Sequence, residues 1–284
     1  MRKQSGLGRA GSRPDSNDLN VLATSVSDDL ALVRSVRLVQ AFVLVGLLWK
    51  IKLFGHVSEV YFAFPQTDTF FPAPLQSLVV LRLAYCVAVL SSIVAVRLRG
   101  AGPLRIALLA LVAALSTLLI HQGSYNDATF LTSWWASVWC LWVSGQLGRA
   151  DPNFTMTRSK RLACVVLSIV MLGPAIGKWT AEYWSGEVFY EIYYRSRDFW
   201  LYNWLRDTAD PAGLRRLAMM HARMAILVET MAGLTLWILP HRLAGWLALA
   251  IMVVIPLTNN WLLFSVTLSL IGLSLVLVRK SPFQ

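Results

Sequence analysis

Residues 261–278 read WLLFSVTLSLIGLSLVLV, a stretch without a single charged side chain. At 1.5 Å per residue a helix of this length is about 27 Å long, close to the roughly 30 Å hydrocarbon core of a bilayer. A backbone in lipid finds no water to bond with, so such a segment must satisfy its own amides, and a single segment does that only as a helix. Working outward, seven further apolar segments precede it: 36–54, 75–96, 104–120, 129–147, 162–177, 218–239 and 243–259. The first is interrupted near its end by Lys50 and Lys52. The reading is an all-α, polytopic integral membrane helix bundle of about eight transmembrane helices.

Composition agrees. The chain is 56% hydrophobic and 14% charged, against about 45–50% and 25% for a soluble domain, and its mean hydropathy is +0.57. Disorder, collagen, coiled coil and a soluble enzyme are excluded as the main reading. The three cysteines (Cys86, Cys140 and Cys164) lie inside apolar runs with no close spacing and suggest neither a disulfide framework nor a zinc site. Residues 1–30, rich in Ser, Gly, Asp and Arg, read as a disordered cytoplasmic tail with no signal-peptide core. Residues 31–280 form the helical domain.

The formal net charge is +11, but its distribution argues against nucleic acid. Eight spans place both termini on one side, with the tail, the 97–105 and 149–161 connections, Arg242 and the Arg279-Lys280 end. That side holds sixteen of the 26 basic residues. The other side holds seven, from Lys178 to Arg223, mixed with acidic residues. The excess of Lys and Arg in short loops predicts cytoplasmic termini, with the basic residues facing anionic lipid. Two connections on the far side are long: 55–74 and 179–217. The second contains YWSGEVFYEIYYRSRDFWLYNWLRD (183–207), an aromatic-belt composition that suits an interfacial helix or a lid over an outward cavity.

Ionisable groups at membrane depth need a reason to be there. Glu229, in AILVETMAGL, lies well inside its segment and is too short to snorkel. It reads either as a structural carboxyl bonded to a neighbouring helix or as a site carboxyl. Arg82, in VVLRLAYC, is expected to pair with Glu229 or with Asp127, and the expected partner of Glu229 is Arg82 or Lys178. Lys178 follows Gly173-Pro174 at the end of its segment and is either a snorkelling interfacial lysine or part of a site. His121, Asn126 and Asp127 fall in the turn HQGSYND, and Asn259 follows Pro256 in another turn. His121, Asp127, Lys178 and Asn259 fall at the outer helix ends, with Glu229 and Arg82 below that level, and a polar cluster in the outer half of the bundle would form a vestibule. No catalytic triad, nucleotide loop, metal-ligand spacing or haem-attachment motif is present.

Four stretches together resemble the HTTM superfamily, which includes the membrane part of vitamin K-dependent gamma-carboxylase. They are FFPAPLQSL, LIHQGSYNDATFLTSWWASVWCLW, GPAIGKWTAEYWSGEVF and AILVETMAGLTLWILP. The resemblance implies that Lys178 matches a lysine thought to deprotonate a quinol, whereas the carboxylase's second, adjacent lysine is here Trp179. It also implies a multi-pass protein of the bacterial inner membrane. That protein would have an outward polar pocket acting on a quinone-like or lipidic molecule, or on a secreted peptide. Lys178 would be the base, Glu229 and Arg82 a tuning pair, and His121, Asn126, Asp127, Trp184 and Asn259 the pocket around them. A different class remains open: a non-catalytic membrane subunit that binds and stabilises partner membrane proteins.

Overall fold

The computed structural model describes residues 16–63, 70–98, 100–148 and 151–279. Every regular element among them is helical. The long helices are α1 (Ser16–Ala63), α2 (Leu78–Arg97), α3 (Ala101–Ile120), α4 (Ala128–Gln146) and α5 (Pro152–Lys178). Three short ones follow, α6 (Ala181–Trp184), α7 (Glu187–Phe189) and α8 (Trp200–Thr208), with a π-turn over Tyr190–Tyr194 between the last two. The chain finishes with α9 (Pro211–Ile238), α10 (His241–Thr258) and α11 (Phe264–Val278).

Among the described residues, seven helices are long and apolar enough to cross a membrane: α1, α2, α3, α5, α9, α10 and the final one beginning at Trp261. The remaining long helix, α4, is 19 residues long and packs inside the bundle against α1, α3, α5 and α11. Its tryptophans, serines and threonines lower its hydropathy, although Thr129, Ser133, Ser137 and Ser144 are buried. Small hydroxyl side chains let helices approach closely in lipid and bond across the gap. Thr129 Oγ1 meets Ser265 Oγ at 2.9 Å, and Thr132 Oγ1 donates to the Val266 carbonyl at 2.9 Å.

Helix ends follow local rules. Asp127, Asp151 and Asp210 cap α4, α5 and α9 by accepting from the amides of Thr129, Asn153 and Gly213. Pro152 and Pro211 occupy the first helical positions, where no amide is needed. The first helix differs from its expected extent. It runs through residues 16–30 and 55–63, where a tail and a loop were expected, because hydropathy reports the environment of a helix and not its ends. Residues 1–15 and 64–69 lie outside the described residues.

The expected 179–217 connection is itself folded. Phe189, Tyr194, Phe199 and Tyr202 bury against Leu214, Ala218 and Ala222 of α9, forming a small aromatic core, the cap, at one end of the bundle. Gly186 makes this possible. Its φ is +82°, and an added Cβ would stand 2.3 Å from the Met219 Cα, so only glycine fits both the turn and the approach to α9. Arg206 ties the cap together by donating to the carbonyls of Tyr194 and Arg197.

Candidate functional site

Antiparallel packing of α5 on α9 sets the register of the site. Gly233 of α9 sits so close to α5 that a Cβ would meet Leu172 Cγ at 2.5 Å. Across the same contact Ser168 Oγ donates to the Gly233 carbonyl at 2.8 Å and accepts from Trp237 Nε1 at 2.8 Å. Farther toward the cap, Trp179 Nε1 donates to Thr230 Oγ1 at 3.1 Å. Beside the second of these anchors Lys178 faces Glu229. Lys178 Nζ donates to Oε1 at 2.6 Å and to Oε2 at 2.8 Å, with side-chain exposures of 23% and 16%.

The pair stands in the wall of a cavity of about 500 Å³, within the 300–1,000 Å³ range of small-molecule sites. α9 contributes His221, Met224, Val228 and Glu229, and α10 contributes Ile251, Val254, Ile255 and Thr258, with Asn259 just past its end. The cap adds Tyr183, Phe189 and Tyr193. The lining is mostly apolar, with its polar groups gathered near the cap. Tyr194 OH and His221 Nδ1 lie 3.1 Å apart. When the phenol donates, the imidazole keeps its proton on Nε2. Asn259 is held by the cap: Tyr202 OH donates to its Oδ1 at 3.1 Å, while its Nδ2 donates to the Ile255 carbonyl at 3.0 Å. Burial raises the Tyr193 phenol above its ordinary range and pushes Tyr194 up to about 12, so both stay protonated donors.

The structure therefore brings together three of the expected site residues, Lys178, Glu229 and Asn259. Trp184 is adjacent but does not line the cavity. It stacks on Trp179 at 5.3 Å and lies under the Arg223 guanidinium at 5.4 Å. The four others are elsewhere. Arg82 is not the partner of Glu229. It is exposed on α2, which packs against α1 and α3. The reason is facing: Arg82 points away from the core of the bundle, and because the helix starts only at Leu78 it lies about one turn inside, where a long side chain reaches the headgroups.

Asp127 pairs with Lys50 of α1 at 2.6 Å, and Lys50 is only 9% exposed. His121 is fully buried between two backbone partners. Its Nδ1 accepts from the Gly123 amide at 3.0 Å, so Nε2 carries the proton it shares with the Ser77 carbonyl at 2.9 Å. Burial lowers its titration below the usual 6.5. Asn126 holds a left-handed turn, φ +53°, a conformation that asparagine tolerates. These residues build a structural joint.

His221 and Tyr193 are pocket residues that the sequence reading missed. The periodic signal was present for the first: positions 221, 225, 228 and 229 fall on one face of α9. Tyr193 carried no signal beyond the aromatic richness of its loop. Among the described residues no three His, Cys, Asp or Glu side chains gather as a metal site. No protein-family model matches this chain, and comparison with curated proteins and with solved structures gives no match.

Proposed function

We propose that this chain is an eight-span membrane protein of the HTTM kind whose cavity binds and modifies a quinone-like or lipidic molecule, with Lys178 and Glu229 as the acid–base couple. The observation that carries the reading is an ion pair set into the wall of an apolar cavity. A charge at bilayer depth costs about 2.5–3.5 kcal/mol even on insertion scales, and a well-packed apolar pair would serve stability as well or better. An amine and a carboxylate within hydrogen-bond reach can instead pass a proton to and from a ligand hydroxyl. His221 and Tyr193 supply donors for the ligand's polar head, and the α9 and α10 walls accept its apolar part.

In this reading α4 is the eighth span and the termini are cytoplasmic, which places the cap at the outer face of the inner membrane. A secreted peptide would meet the protein there. The nearest charge to Lys178 is a carboxylate and not the cation that a free-lysine base would use. The proton is therefore managed by the pair, and Arg82 plays no part. The test is mass spectrometry of small molecules copurifying from native membranes. A lipidic molecule present with the wild-type chain and lost with Glu229→Leu at equal protein yield supports the site. A wild-type chain that carries none, or a variant that retains it, refutes it.

A further inference from the structure

We infer that the cavity opens sideways into the bilayer between α9 and α10, and that its occupant is an amphiphile with one hydrogen-bonding head and one long apolar chain that enters from the membrane. This rests on the reading of the cavity as a ligand site.

α9 and α10 are joined by the two-residue link Leu239-Pro240, yet each packs mainly on a different neighbour. α9 seats on α5 through Gly233, and α10 seats on α11 through Gly245, where an added Cβ would meet Leu277 Cβ at 2.7 Å. Glu229 lies nine residues from the end of α9, about 13 Å along the axis. Above that level the cavity occupies the space between the two helices. Three residues mark the opening: Met224 and Val228 on α9 and Val254 on α10. All three line the cavity and are also exposed, by 62%, 45% and 52%. On spanning helices, a side chain that faces both the cavity and the outside borders a lateral gap.

The rim chemistry selects the occupant. Neither 224–228 nor 243–258 contains a charged residue. The exposed face of α9 carries Met220, Met224 and Met231, and flexible thioether side chains adapt to a chain of changing shape. A peptide arriving from water would need polar partners for its backbone at this rim, and the Met224, Val228 and Val254 side chains offer none. The polar groups lie inward, at Lys178, Glu229 and His221, which suits a head that passes the rim first and leaves its chain in the gap.

The experiment uses the full chain in nanodiscs with two photoreactive probes, a naphthoquinone bearing a hexadecyl chain and palmitic acid, each with a diazirine at mid-chain. Irradiation should crosslink at least one probe to peptides containing Met224, Val228 or Val254. The choice of probe separates a quinone head from a carboxylate head. Val254→Trp and Met224→Trp, which narrow the gap from opposite helices without touching Lys178 or Glu229, should each lose this crosslinking. Val254→Ala should keep it. Unchanged unfolding temperatures exclude misfolding. Crosslinking of the cavity that persists in both tryptophan variants overturns the lateral route while leaving the site intact. Absence of crosslinks to any cavity peptide in the wild-type chain overturns both.

Discussion

Lys178 and Glu229 form the most consequential contact in the molecule, and the two partners answer different questions. Glu229→Leu leaves an ammonium without its counter-charge. Breaking a fully buried pair costs about 3–5 kcal/mol, and this pair is partly open to the cavity, so a loss of about 2 kcal/mol is expected in detergent unfolding. Glu229→Gln keeps an acceptor for Nζ and should lose less. If the two variants unfold alike, the carboxylate is not paired as described. Lys178→Arg separates chemistry from anchoring. Guanidinium keeps its proton, so the variant should fold normally yet lose function in a cellular assay. Full activity would leave Lys178 as an anchor alone. His121 makes a separate prediction. Its titration is depressed in the fold, so between that value and 6.5 the unfolded chain binds more protons. Its stabilising contribution is present above pH 6.5 and declines as pH falls below it. The unfolding temperature should drop over that window, and His121→Gln should flatten the slope. An unchanged slope would mean that His121 is not held neutral.

At the scale of elements, the cap and α4 carry the expectations. The cap depends on the turn at Gly186. Gly186→Ala adds left-handed strain of about 1–2 kcal/mol and pushes a methyl into the Met219 backbone. The cap should loosen, with faster proteolysis between α6 and α8 and little change in the exchange protection of α2 and α3. Equal protection of the cap in both proteins would contradict the packing. Hydropathy alone leaves α4 below the level of the seven helices apolar enough to cross a membrane, yet its hydroxyls face α11, where Thr129 and Thr132 are bonded. Sequence reading located this helix almost to the residue, because its neighbours are turns with clear capping. The same reading placed the ends of α1 wrongly on both sides, since polar residues at the ends of a long helix look like loop.

For the whole molecule, orientation is the open quantity with a direct measurement. The asymmetry of Lys and Arg predicts that Asn153 faces the cytoplasm and Ser196 the outside. Both are exposed. In a background lacking Cys86, Cys140 and Cys164, an impermeant thiol reagent on whole cells should label Ser196→Cys and spare Asn153→Cys. The reverse pattern would invert the topology. The sequence by itself determined the class of the molecule, an all-helical chain with several apolar segments of membrane-crossing length, because hydrophobic length is a local property that lipid enforces segment by segment. It also marked Lys178, Glu229 and Asn259 as site candidates, together with Arg82, His121, Asn126, Asp127 and Trp184, which the structure places outside the cavity lining. Only the tertiary structure decided which charges meet. Lys178 finds Glu229 because α5 packs antiparallel on α9 through Gly233, and Asp127 finds Lys50 because α4 packs on α1. Arg82 finds neither, since helix register and facing, not depth along a segment, choose the partner of a buried charge.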